Sequence, residues 1–121
     1  MRDDLAAATA TLARAGVETP RADAEWLLAG LLGVGRATLA LGRDRGLDAD
    51  VVRRYDVAVR RRAAREPLQR ILGWEGFRGL RLRITRDVLV PRPETETLVE
   101  WALELVPEPR LAIDVGTGSG C

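Results

Sequence analysis

The sequence predicts an α-helical domain, a small helical bundle, over residues 1–72, a β-hairpin linker over 73–90, and the start of an α/β domain over 91–121. Three observations carry this reading. Apolar residues recur at helical spacing from Leu5 to Ala63, then alternate at period two from Leu80 to Ile84. At the end of the chain an apolar run from Leu111 to Val115 meets glycines at every second position, Gly116, Gly118 and Gly120.

The helical part divides at its punctuation. Leu5, Ala8, Leu12 and Ala15 make a first amphipathic stripe, and Gly16 stops it. A second helix opens in "ETPRADAEWLLAGLLG": Thr19 suits the N-cap, Pro20 the first helical position, and Asp23 and Glu25 the positive end of the helix dipole. Leu27, Leu28, Leu31 and Leu32 bury one side, and Gly33 and Gly35 end it. "RATLALG" supplies about two turns of a third helix before a loop at Arg43–Gly46. Asp48 caps a fourth, running to about Arg65 with a stripe of Val52, Tyr55, Ala58 or Val59, and Arg62 or Ala63. Pro67 interrupts, because its ring cannot continue the preceding turn, and a short element "PLQRILG" follows.

From Gly73 the texture changes. Leu80, Leu82 and Ile84 alternate with Arg81, Arg83 and Thr85 as in a half-buried strand, with Trp74 to Phe77 as partner and Arg78-Gly79 as the turn. In "VLVPRPETETLVEWALELVPEP" two prolines force an extended entry, and a helix opens at Pro93 or Glu94 and ends near Val106. Pro107 and Pro109 flank a linker, and "RLAIDVG" then reads as a short strand buried on both faces. The aromatic residues Trp26, Tyr55 and Trp101 fall in or beside helical stripes and are expected in the core.

Composition bounds the function. The 121 residues carry 19 basic against 18 acidic groups, so no bulk charge directs the chain to nucleic acid or an anionic membrane. Every basic residue is Arg; the arginines of "RRYDVAVRRRAAR" spread around their helix and read as a solvated surface, with docking of a protein or ribonucleoprotein partner as the alternative. Cys121 is the single cysteine, which excludes an intrachain disulfide and makes the cytoplasm the expected compartment. Asp3 and Asp4 and the lack of an apolar core argue against a signal peptide, and no segment reaches the ~20 apolar residues a membrane span needs.

The chemistry concentrates at the end. Asp114 followed by Gly116, Thr117, Gly118, Ser119 and Gly120 places an acidic residue at a strand end beside a loop whose glycines admit close backbone approach. The G-x-G-x-G spacing departs from the dinucleotide fingerprint, and the absence of Gly-Lys-Ser/Thr excludes a P-loop. An acidic residue two positions ahead of the first glycine suits a cationic ligand, one with an ammonium or sulfonium group. Upstream, "VPRPETE" concentrates Arg92, Glu94, Thr95 and Glu96 at a proline-fixed helix entry.

Taken together, "DAEWLL", "EPLQRILGWEGFRGL", "VLVPRPETETLVE" and "DVGTGSG" resemble the release-factor glutamine methyltransferase family (HemK/PrmC) over nearly the whole chain. Arg70 stands where that family often has an aromatic residue or His. The resemblance implies a Rossmann-like domain from residue 91 and methyl transfer from S-adenosyl-L-methionine to the glutamine of a Gly-Gly-Gln tripeptide in class I peptide chain release factors. It implies that Asp114, Gly116, Thr117, Gly118 and Gly120 line the cofactor, that Glu94 and Thr95 contact it, and that Arg92 is structural. The helical domain is then the substrate-recognition part, and neither a metal, direct nucleic-acid binding nor an oligomer is expected.

The family's catalytic Asn-Pro-Pro-Tyr motif lies beyond the glycine loop, and this sequence contains no Asn. The expectation is therefore the front of a longer enzyme, inactive alone, with the region after about Val106 poorly packed. Two other readings compete: an adenine N6 DNA methyltransferase, which faces the same planar NH₂ group, and a helical binding module without catalysis.

Overall fold

The computed structural model describes residues 1–41, 46–108 and 110–121. Two compact units emerge, Met1–Leu72 and Gly73–Cys121. The first contains α1 (Arg2–Arg14), α2 (Pro20–Leu32), α3 (Arg36–Leu41), α4 (Ala49–Ala63) and α5 (Leu68–Leu72). The second contains β1 (Trp74–Phe77), β2 (Leu80–Arg83) and α6 (Pro93–Leu105). Of the loop read at Arg43–Gly46, residues 43–45 lie outside the described residues, as does Pro109 of the linker.

In the first unit α1, α2 and α4 pack against one another, and α3 and α5 close onto them. Leu5, Ala8 and Leu12 from α1, Leu27 and Leu28 from α2, and Tyr55, Ala58 and Val59 from α4 share one core, so the three sequence stripes meet. Leu31 and Leu32 are half-buried at its edge. Gly30 on α2 lets α5 come close: a Cβ there would stand 2.6 Å from Leu72 Cδ2.

Polar groups fix how α4 crosses α2. The Tyr55 hydroxyl, on a side chain 1% exposed, donates to the Ala24 carbonyl at 2.9 Å. Burial raises the phenol's pKa, so it stays a protonated donor. Two turns further along α4, Arg62 Nε donates to Asp23 Oδ2 at 2.6 Å, and its Nη1 donates to the Glu66 carbonyl at 3.0 Å. Asp23 is the one buried charged residue among those described.

Thr19 occupies the N-cap position without capping α2 through its side chain. Its hydroxyl donates instead to Asp23 Oδ1 at 2.9 Å, completing that carboxylate's partners. Asp48 caps α4 as expected, accepting from the Asp50 amide at 2.8 Å. Two of the aromatic expectations are corrected. Trp26 is half out of the surface with the Arg36 guanidinium 5.3 Å from its ring centroid, and Trp101 is 61% exposed; only Tyr55 is in the core.

The second unit opens with an antiparallel hairpin in the register Trp74↔Arg83 to Phe77↔Leu80. Ile84 extends the pairing, its amide donating to the Gly73 carbonyl at 2.9 Å. The turn is the two-residue kind in which both central residues take positive φ, 45° at Arg78 and 79° at Gly79, matching the twist of the strands. Period two is legible in burial, with Ile84 buried and Leu82 half-buried, but Leu80 is exposed next to the turn. Across the strands the Arg81 guanidinium stacks on Trp74, 4.3 Å from the ring centroid.

The expected strand at Leu111–Val115 is not formed. Leu111, Ile113 and Val115 are 77%, 76% and 90% exposed and have no extended partner. A parallel strand is built from neighbours on both sides, and the hairpin is the only sheet among the described residues. The described residues after Val106 are accordingly loosely packed, as expected from the sequence.

Two outcomes test the α2–α4 seam in urea unfolding. Arg62→Ala leaves the Asp23 carboxylate buried without its cation and is expected to cost about 3 kcal/mol, and Tyr55→Phe about 1 kcal/mol. A third concerns pH. Glu25, hydrogen-bonded by Arg36 and then Arg21, is held below the ordinary carboxylate value of 4.5. Its stabilisation is present above that value and lost as pH falls through the lowered one. The stability gap between the chain and its Glu25→Gln variant should be present at neutral pH and close in acid, read by unfolding at both.

Candidate functional site

Two segments hold the residues singled out from sequence, and both are in the second unit. The first is the entry of α6. Arg92 sits at the N-cap with an extended backbone, φ −101° and ψ 144°, and Pro93 follows as the first helical residue. Proline fits there because it lacks an amide hydrogen at a position with no intrahelical acceptor and has a φ already suited to the helix. No side chain caps the helix; the Thr95 amide bonds back to the Arg92 carbonyl at 3.0 Å. Glu94 and Glu96 in the first turn complement the helix dipole.

Glu96 and Glu100 are already engaged. Glu96 Oε1 accepts from the Arg78 amide at 2.9 Å, and the Arg78 guanidinium pairs with Glu100 at 3.0 Å. One residue of the hairpin turn thus grips α6 through both its backbone and its side chain. In the sequence Arg78 reads only as a turn residue. The available signal was an Arg where a two-residue turn favours Asn or Asp, since a non-glycine at positive φ costs about 1 kcal/mol and calls for a compensating contact.

With Glu96 occupied, Glu94 and Thr95 remain available: Glu94 is exposed, Thr95 half-buried, and neither side chain has a hydrogen-bond partner among the described residues.

The second segment is the glycine loop. Gly116, Gly118 and Gly120 all have positive φ, at 81°, 58° and 84°. The Gly120 amide donates to the Thr117 carbonyl at 2.9 Å, closing a turn. A Cβ on Gly116 or Gly120 would meet nothing within 4 Å, so these positions demand glycine for backbone conformation and leave the space beside them open. Asp114 is exposed just ahead of the loop. Ser119 Oγ is buried with no partner, a polar atom the chain itself does not satisfy. No hydrogen bond or ion pair joins Glu94 or Thr95 to Asp114 or the loop among the described residues. The structure therefore presents the two segments and does not bring them together.

These features define a class: a helical N-terminal domain ahead of the start of an α/β methyltransferase domain. Residues 4–73 match the family model described as the PrmC N-terminal domain, and the chain belongs to that family. It is 44% identical over 110 residues to the release factor glutamine methyltransferase of Geobacter sulfurreducens, a match covering 91% of this chain and 39% of the relative. It is 47% identical over 125 residues to the enzyme of that name from Deinococcus radiodurans, covering 99% of the chain and 44% of the relative. For the Streptomyces coelicolor relative the figures are 48% over 122 residues, 97% and 42%. The chain thus spans about two fifths of the length of the relatives it matches. No helix among the described residues is long and apolar enough to cross a membrane.

Hydrogen exchange checks the separation of ordered and open parts. The amides of Ile113 and Val115 should exchange within about tenfold of unstructured-peptide rates, while those of Leu12 and Leu27 are protected by the core.

Proposed function

We propose that the protein of which this chain is the helical domain and first cofactor segment is an S-adenosyl-L-methionine-dependent methyltransferase acting on the glutamine side-chain nitrogen of the Gly-Gly-Gln motif in class I release factors. Membership of the PrmC family, with relatives so named matching across both units, is the observation that carries it. The residues present fit one wall of such a site. Gly116, Gly118 and Gly120 hold the backbone open in the left-handed region, and Ser119 Oγ is an unsatisfied polar atom beside them. Asp114 is free to face the ammonium of the methionine portion by charge or hydrogen bonding. Backbone groups of Gly116, Thr117, Gly118 and Gly120 line the methionine and ribose, and Glu94 and Thr95 approach from the α6 entry.

The bound cofactor supplies an electrophilic methyl on sulfur. An amide nitrogen is a poor nucleophile because its lone pair is delocalised into the carbonyl, so the reaction depends on alignment of nitrogen and methyl. Within this chain the contribution is to bind and orient: Asp114 and the loop hold the donor, and the Arg78 grip on Glu96 and Glu100 sets where α6 begins and thus where Glu94 and Thr95 stand. The helical unit holds the release factor. We assign the protein to the cytoplasm, where translation termination takes place.

A chimera tests this reading: the 121 residues continued by the remainder of the Streptomyces coelicolor relative, assayed with methyl-labelled donor and a release factor. Label should reach the Gly-Gly-Gln glutamine, and Asp114→Ala should weaken donor binding by at least about tenfold, the loss of one charge-assisted contact. The 121-residue chain alone should bind the donor only weakly. A folded chimera that binds NAD or ATP and ignores the methyl donor sinks the assignment.

A further inference from the structure

The flank of α4 at the edge of the core has no part in the methyl-donor site, yet it is a shaped surface. Asp50, Arg54, Val57, Ala58 and Arg61 fall along one flank of the helix, and Leu31 of α2 and Ile71 of α5 close the opposite side. Between them lies an open groove of about 410 Å³, enough for one or two side chains of a partner. Arg53 also lines it. The groove's apolar residues are Leu31, Val57, Ala58 and Ile71, and Val57, 50% exposed, presents the accessible part of that apolar surface.

The rim is cationic beyond what its own carboxylates neutralise. Three guanidiniums line the groove against one carboxylate. Asp50 is shared by Arg53 at 3.2 Å and Arg54 at 4.0 Å, and both arginines are well exposed. Arg61 is held by Glu66, at 2.6 Å from Nη2 to Oε1 and 2.8 Å from Nε to Oε2. That bidentate pair fixes the groove wall and leaves Arg53 and Arg54 as the groups with spare hydrogen-bonding capacity.

From this arrangement we infer that the α4 groove is a docking site for an acidic protein segment that seats one apolar side chain on Val57 and Ala58 and lays carboxylates against Arg53 and Arg54. Protein is favoured over nucleic acid by the lining itself. A single-stranded nucleic acid wants aromatic faces for its bases and a continuous run of cations for its phosphates. This groove has no aromatic residue, an aliphatic floor, and a carboxylate set between its arginines. Guanidiniums flanking an apolar pocket instead match a carboxylate-flanked aliphatic anchor, the arrangement in which a central apolar contact supplies affinity and rim charges supply orientation and on-rate. The inference goes beyond the proposed reaction, and it stands or falls independently of the methyl donor.

The test uses the 121-residue chain and a fluorescein-labelled peptide of about 12 residues built on a Leu-Glu-Glu repeat, read by anisotropy at low and moderate salt, with an equally long Leu-Lys-Lys peptide and an oligouridylate as comparisons. The acidic peptide should bind saturably and weaken with salt, and the basic peptide should not bind. Arg53→Glu with Arg54→Glu should weaken binding at least about fivefold, and Val57→Asp by a similar factor. All three substituted side chains are exposed, so far-UV circular dichroism should be unchanged. Absence of saturable binding, binding indifferent to both variants, or tighter binding of oligouridylate overturns the proposal.

Discussion

The helical unit depends on two polar contacts made by one helix across another. Tyr55 and Arg62 lie two turns apart on α4 and reach adjacent residues of α2, the Ala24 carbonyl and the Asp23 carboxylate. Apolar packing alone is tolerant of sliding, because leucine and alanine ridges fit one another in more than one register. A hydroxyl that must reach a carbonyl and a buried carboxylate that must keep its cation are not tolerant. The stripe of α4 that looked mixed in sequence, with an arginine and a tyrosine among valines and alanines, is the one that sets the crossing. Thr19 contributes to the same end by giving up its capping role to bond Asp23.

The two units are built on different principles. The first closes a core from helices near in sequence, each of which forms its backbone hydrogen bonds internally, so its stripes bury one another within 72 residues. In the second, only the hairpin satisfies its strands locally. Leu98, Trp101 and Leu105 make an apolar stripe along α6 that stands in solvent, and Leu111, Ile113 and Val115 do the same beyond it. A parallel sheet covered by helices on both faces buries such apolar groups, and among the described residues no such sheet is formed around them.

Within that second unit, Arg78 explains a feature the motif by itself does not. "VPRPETE" carries three polar side chains after its second proline, and the structure divides them: Glu96 is taken by the hairpin turn, Glu94 and Thr95 are left open. The strained φ of Arg78 brings its amide and guanidinium to α6, so the hairpin serves as a brace for the helix entry as well as a link between units.

Much of this was legible in the sequence. The helices, the hairpin with its Arg78-Gly79 turn, the proline-led α6 and the αL-prone glycines are local features, governed by periodicity, caps and allowed φ, and each emerged within a residue or two of its expected bounds. The family too was carried by short motifs. What tertiary structure decided was the fate of side chains and strands whose partners are remote. Tyr55 entered the core while Trp26 and Trp101 stayed out, although all three lie on or beside apolar stripes. A stripe states which face is apolar and not whether another element covers it. Leu111–Val115 has the composition of a buried strand and remains unpaired, since a parallel strand takes its hydrogen bonds from elsewhere in the chain and has none to offer itself.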